Sequence, residues 1–142
     1  MNAELTLAVE TLKAAKNIAV VGLSRNPGKS AHDIPLFMAS AGYNIIGVNP
    51  HATPAVATVP VVDTLLDVPF TIDIVNVFRP SEDTDAIIDQ AITRKSQRGD
   101  VSCIWLQQGI TSKHGAVKCA AAGITYLEDT CIYVIQQYVH AL

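Results

Sequence analysis

A set of groups suited to gripping a phosphate follows the first apolar run of this chain. The run Ile18 to Val21 closes on Gly22 and opens into Ser24-Arg25-Asn26-Pro27-Gly28-Lys29, ahead of a helix-forming segment from Ser30. Arg25 and Lys29 bring positive charge, and Ser24 and Ser30 bring hydroxyls. The start of a helix adds free N–H groups and the positive end of its dipole. Taken alone, the same loop also reads as a solvated turn whose cations keep the surface polar. Its position directly after a strand, in the crevice where open α/β sheets bind ligands, favours phosphate contacts.

Two nucleotide motifs are close to this loop, and both fail. The dinucleotide fingerprint GxGxxG needs glycine at 24 and 27, where the chain has Ser24 and Pro27. It also places an acid at the end of the second strand to hold a ribose, and that position is Asn49. The Walker A motif is approached by Gly28-Lys29-Ser30, but counted from Gly22 its second glycine should fall at Pro27. An NAD site and a P-loop ATPase are therefore disfavoured.

Further chemistry sits where other apolar runs stop. Asn49-Pro50 ends the second run, either at the rim of a ribose or phosphate path or simply as a strand stop, since Pro cannot continue a ladder. Val77-Phe78-Arg79-Pro80 ends the third, where a Val-Phe wall with a guanidinium suits a purine ring, although Phe78 serves equally as core. Trp105-Leu106-Gln107-Gln108-Gly109 ends the fourth. Its amides can hydrogen-bond a polar chain, and Gly109 allows close backbone approach. Trp105 itself reads as buried structure. Cys131 has no adjacent histidine to activate it, and His32, His51, His114 and His140 lack metal spacing or a triad partner. No catalytic constellation emerges.

The elements that must position these residues alternate regularly. Strands are expected at Ile18–Val21, Tyr43–Val48, Ile72–Phe78, Val101–Leu106 and Ile124–Leu127. Between them come helices at about Ser30–Ala41, from Ser81 to Arg94-Lys95, and from Ser112 to Gly123, with a last helix over Ile132–Val139. Ser30 and Asp33 have capping-box spacing, and Glu82, Asp83 and Asp85 against Arg94 and Lys95 follow the helix dipole. Residues 51–62, with Pro54 and Pro60, read as irregular, leading to a short helical turn at Asp63–Leu66. Leu5, Ala8, Val9 and Leu12 give residues 1–16 the stripe of an N-terminal helix that packs on the sheet. This rhythm implies one domain over residues 1–142. Its expected form is a doubly wound parallel five-stranded sheet in order 3-2-1-4-5, within three α/β/α layers. The ligand crevice is then expected between strands 1 and 4.

Bulk composition agrees. The chain is 49% hydrophobic and 16% charged, as suits a parallel sheet covered on both faces. Aromatics at 6% and a net charge of −3 argue against nucleic-acid and anionic-membrane partners, so any anion site is local. Cys103, Cys119 and Cys131 are odd in number and widely spaced, which fits a reducing cytoplasm better than a disulfide or zinc framework. Glu4, Glu10 and Lys13 interrupt any signal-peptide apolar region.

Five strand-end segments together resemble the stand-alone CoA-binding protein family. They are Ile18-Ala19-Val20-Val21-Gly22-Leu23-Ser24 with Asn26-Pro27 and Lys29-Ser30, Val48-Asn49-Pro50, Val77-Phe78-Arg79, Trp105 to Ile110, and Asp129-Thr130-Cys131. That family has a Rossmann-like fold and is similar to the N-terminal domain of the succinyl-CoA synthetase alpha subunit. The resemblance implies coenzyme A as cofactor. Ser24 to Ser30 would then bind its phosphates, Asn49-Pro50 and Val77-Phe78-Arg79 would flank the adenosine, and Leu106-Gln107-Gln108-Gly109 would line the pantetheine route. The synthetase's phosphorylated histidine lies in a second domain absent here, so ligase chemistry is not implied. The leading expectation is a non-catalytic module that binds CoA or an acyl-CoA. The alternatives are a small enzyme using an acyl-CoA through Cys131 or a nicotinamide nucleotide, and an interaction domain with a vestigial pocket. The apolar faces of the first and last helices, with Ile132, Ile135 and Val139, either form a homodimer surface or complete the core.

Overall fold

The computed structural model describes all 142 residues. The chain runs α1 (Ala3–Ala14), β1 (Asn17–Val21), α2 (Ser30–Ser40), β2 (Asn44–Val48), β3 (Ala55–Val56) and β4 (Val59–Val62). It continues through β5 (Ile74–Val77), α3 (Thr84–Arg98), β6 (Cys103–Leu106), α4 (Gly115–Ala122), β7 (Thr125–Leu127) and α5 (Ile132–Ala141). All strands join one sheet in the order β3-β4-β2-β1-β5-β6-β7. Six strands are parallel, and β3 alone runs against its neighbour β4.

β5 and β6 are buried at every position, and β1 and β2 at all but their first, as expected of strands covered on both faces. On one face Leu12 of α1, Met38 of α2 and Ile135 of α5 pack against Ile18, Val20, Ile45 and Trp105. On the other, Ile88 and Ala91 of α3 and Cys119 of α4 pack against Ala19, Ile46, Val75 and Ile104. Each fully buried Ile, Leu or Met contributes about 1.5–3 kcal/mol by leaving water. The helices end by ordinary chemistry. Asn2 caps α1 by accepting the Leu5 N–H at 2.7 Å, and left-handed Gly99 and Gly123 stop α3 and α4.

The Rossmann-like three-layer α/β architecture is as expected, but the strand count and order differ. The stretch read as irregular contains β3 and β4, and β4 takes the place beyond β2 assigned to residues 72–78. That run, β5, pairs instead with the opposite side of β1. Pro60 hid the strand by breaking its apolar pattern. It is tolerated because it pairs only with Ala55 of the two-residue β3 at the sheet rim. Counting only the parallel strands, the order is 3-2-1-4-5-6. The chain reverses direction across the sheet between β1 and β5, not between β1 and β6, and the position expected for a crevice moves accordingly.

Local details differ as well. The Ser30–Asp33 capping box does not form; Lys29 holds the N-cap position without a side-chain bond. The segment from Ser112 becomes helical only at Gly115, where an added methyl group would lie 2.7 Å from the Tyr126 ring and 2.9 Å from Ile88. Arg94, expected as a cation at a helix end, lies a turn inside α3 and is 1% exposed. Its guanidinium donates to the carbonyls of Leu65, Val68 and Phe70 and to the Asp100 carboxylate.

Candidate functional site

At the β1–β5 boundary Val21 is paired with Val77, so Gly22 comes to lie beside Phe78. The Phe78 N–H donates to the Val21 carbonyl at 2.9 Å, and the Gly22 N–H donates to the Val48 carbonyl at 3.0 Å. Gly22 has φ +90°, a conformation that disfavours any side chain. A methyl group there would lie 3.0 and 3.2 Å from Arg79 Cδ and Cγ, and 3.2 Å from the Phe78 carbonyl oxygen. The stem of Arg79 therefore rests on the bare backbone of Gly22, with its guanidinium paired to Asp83 at 2.8 Å.

The loop between Gly22 and α2 is folded by its own polar groups. Ser24 Oγ accepts the Asn26 N–H at 3.1 Å, and the Ser24 N–H donates to Ala31 at 2.9 Å, which draws the loop over the first turn of α2. The Asp33 carboxylate reaches back to accept the Gly28 N–H at 3.2 Å and meets His32 Nδ1 at 2.7 Å. These two bonds, His32 first, hold the Asp33 carboxyl below its usual range. Asn49 supplies the third tie from the end of β2. Its Nδ2 donates to the Leu23 carbonyl and its Oδ1 accepts the His51 N–H, both at 2.9 Å. Asn49 thus fixes the loop against β2, with Pro50 exposed beyond it. Arg25, Asn26, Lys29 and Ser30 are exposed around the loop, and neither Arg25 nor Lys29 has an acidic partner.

The remaining strand-end residues divide between surface and support. Val77 is fully buried under α3, while Phe78 is half-buried against the opposite layer. Gln107 is buried at the end of β6, and its Oε1 accepts the Ile132 N–H at 3.2 Å and Asn76 Nδ2 at 3.4 Å. It ties β5, β6 and the start of α5 together. Gln108 and Gly109 are exposed, and the Gly109 N–H donates to the Asp129 carboxylate at 2.7 Å. Trp105 is buried, with its indole N–H donating to the Thr130 carbonyl at 2.9 Å. Cys131 follows, half-buried at the N-cap of α5. Cys103 and Cys119 are buried in the core, where burial pushes both thiols up, Cys119 to about 11.

The structure therefore gathers Gly22, Ser24, Arg25, Asn26, Lys29 and Ser30 with Asn49-Pro50 and Phe78-Arg79 around the ends of β2, β1 and β5. Gln107-Gln108-Gly109 lies one strand further, on β6. The parts played by three positioning residues escaped the sequence. Asp33 was visible only as a cap that does not form, and Asn76 as one polar residue in an apolar strand. The contact of Asp129 with Gly109 crosses 20 residues and leaves no local signal. A cavity of about 610 Å³ also opens between α1 and the end of β7, but Glu4, Glu128 and Asp129 line it, a poor setting for phosphates. By contrast, two unpaired cations at a helix start fit an anionic nucleotide.

A doubly wound sheet with a cationic loop at its switch point defines a Rossmann-like domain. More specifically, the chain belongs to the CoA binding domain family, whose model matches residues 16–137. It is similar to the uncharacterized protein YneT of Bacillus subtilis (strain 168), at 37% identity over 125 residues and 88% of each chain. Among solved structures it resembles a Thermus thermophilus protein with a TM-score of 0.85 and 28% identity, covering 98% of this chain and 99% of that one. A hypothetical protein from Pyrococcus horikoshii OT3 shares the fold, with a TM-score of 0.83, 22% identity, and coverage of 96% and 92%. No helix is long and apolar enough to cross a membrane.

Proposed function

We propose that this chain binds coenzyme A or an acyl-CoA as a small, non-catalytic module of the reducing cytoplasm. The observation that carries the proposal is the pair of unpartnered cations, Arg25 and Lys29, on the switch-point loop of a CoA binding domain with a net charge of −3. Arg25, Asn26, Lys29 and Ser30 would hold the phosphates, with Ser24 and Asp33 shaping the loop beneath them. Asn49-Pro50 and Phe78-Arg79 would border the adenosine, Phe78 offering a ring edge and Arg79 its guanidinium. The pantetheine arm would pass Gln108 and Gly109 towards Cys131, over a floor fixed by Val77 and Gln107. No histidine is hydrogen-bonded to the Cys131 thiol, which supports a non-catalytic reading of that residue.

Calorimetric titration with coenzyme A, dephospho-CoA and NAD⁺, on protein stripped of carried-over ligand by unfolding and refolding, tests this. Micromolar or tighter binding of CoA, without binding of NAD⁺, is the expected result. Arg25→Ala and Lys29→Ala should each weaken CoA about tenfold or more, since a charge-assisted hydrogen bond is worth about 1.5–3 kcal/mol. Unchanged affinity in both variants would remove the phosphates from this loop.

A further inference from the structure

The sequence left open whether Ile132, Ile135 and Val139 face a partner or the core. Ile132 and Ile135 are 0% and 4% exposed, and Val139 packs against the same core cluster, so the inner face of α5 is already used. The outer face is also apolar. Tyr133, Val134 and Tyr138 are 40%, 48% and 43% exposed, and with Gln137 and Ala141 they form one stripe at helical spacing. Phe37 of α2 extends it, its ring edge-on to Tyr133 with centroids 4.8 Å apart. We propose that this α5–α2 face is a homodimer interface, covered by a second copy of the same chain.

Charge distinguishes the occupant. From Thr130 to Leu142 the chain has no Asp, Glu, Lys or Arg. On the opposite side of the molecule, Lys118 pairs with Asp89 and His114 with Asp85, the pattern of a solvated surface. A partner of opposite charge would find nothing to pair with on α5. Across a two-fold axis, however, residues near the axis meet their own copies, so any charge there would face its like. An uncharged stripe is what such an axis tolerates. Its composition also fits. The chain has one Trp, four Tyr and three Phe, and three of these aromatics are exposed on this one face, while aromatics are enriched in interface cores. Glu10 and Lys13 on α1 and Asp33 on α2 are exposed and supply a polar rim. The ten-residue α5 is about 15 Å long, and three neighbouring helices span about 27 Å. That is about 400 Å² per copy, roughly half the standard 800 Å² a side, so the dimer is expected to be weak and concentration-dependent, dissociating in the high micromolar range. The inference does not rest on the ligand assignment.

Sedimentation velocity of the full chain, from low to high micromolar concentration, tests it. The wild-type protein should pass from monomer to dimer. Val134→Asp and, separately, Tyr138→Lys should raise the dissociation constant about 100-fold, because each sets like charges against one another. Both positions are exposed, so circular dichroism and, at concentrations where both proteins are monomeric, melting temperature should stay at wild-type values. Mixing Val134→Asp with Val134→Lys should restore the dimer. A wild-type protein that stays monomeric at the highest concentration, or variants that dimerise like it, would overturn the proposal.

Discussion

Replacing Gly22 by alanine tests the geometry of the switch point directly. The φ of +90° costs an L-residue about 1–2 kcal/mol. The new methyl group would also sit 3.2 Å from the Phe78 carbonyl oxygen, which must give by a few tenths of an ångström just past the end of β5, where the Phe78 N–H is still bonded to Val21. Contact with Arg79 Cδ at 3.0 Å is relieved more easily, by swinging the side chain away from its half-exposed pair with Asp83, worth about 0.5 kcal/mol or less. A total of about 2–3 kcal/mol follows, and for a domain of this size it should lower the melting temperature by about 6–12 °C. Thermal melting followed by circular dichroism measures the first effect, and CoA titration measures displacement of the loop and Arg79. In Gly22→Ala/Arg79→Ala only the small side-chain part should be recovered, since the backbone conformation and the Phe78 carbonyl remain. A melting shift below about 2 °C with unchanged CoA affinity would refute the close packing of Gly22.

Two further outcomes follow from buried and paired charges. Arg94→Met leaves Asp100, 6% exposed at its side chain, without its cation and the Phe70 carbonyl without its donor, so urea unfolding should show a loss of about 3–5 kcal/mol; Arg94→Met/Asp100→Asn should recover part of it, and a loss below about 1 kcal/mol would contradict the network. Hydrogen bonds from Ser112 and then His114 lower the Asp85 carboxyl to about 2. A depressed folded-state pKa contributes stability that is present above the unfolded value of about 3.9 and lost as pH falls towards about 2. Asp85→Asn should flatten the stability curve in that window, and an unchanged acid slope would exclude the role.

The alternation of elements was legible in the chain because each strand is a contiguous apolar run and each helix carries its own period. The cationic loop was legible for the same reason: residues 22–30 are consecutive, and the strand end, the loop and the helix start are each marked within a few residues. Asn49 could be suspected as a strand-end residue, but its bond to Leu23, which ties the loop to β2, crosses 26 positions and leaves no local signal. β4 was lost because Pro60 interrupts its pattern, and only the pairing of β4 with β2 moves the crevice from the β6 side of β1 to the β5 side. Arg94 carries the charge of a surface residue, and only the converging carbonyls of Leu65, Val68 and Phe70 make a buried place for it.

The sequence by itself determined the layered α/β class, the position of the cationic loop after the first strand and the family. Tertiary structure alone decided which strands border that loop, that Arg79 lies on Gly22, and which arc of α5 faces outwards. The physical reason is the same in each case. Periodicity and turn chemistry act within a few residues, whereas strand order, close approach and the phase of an almost wholly apolar helix are set by what packs across the sheet.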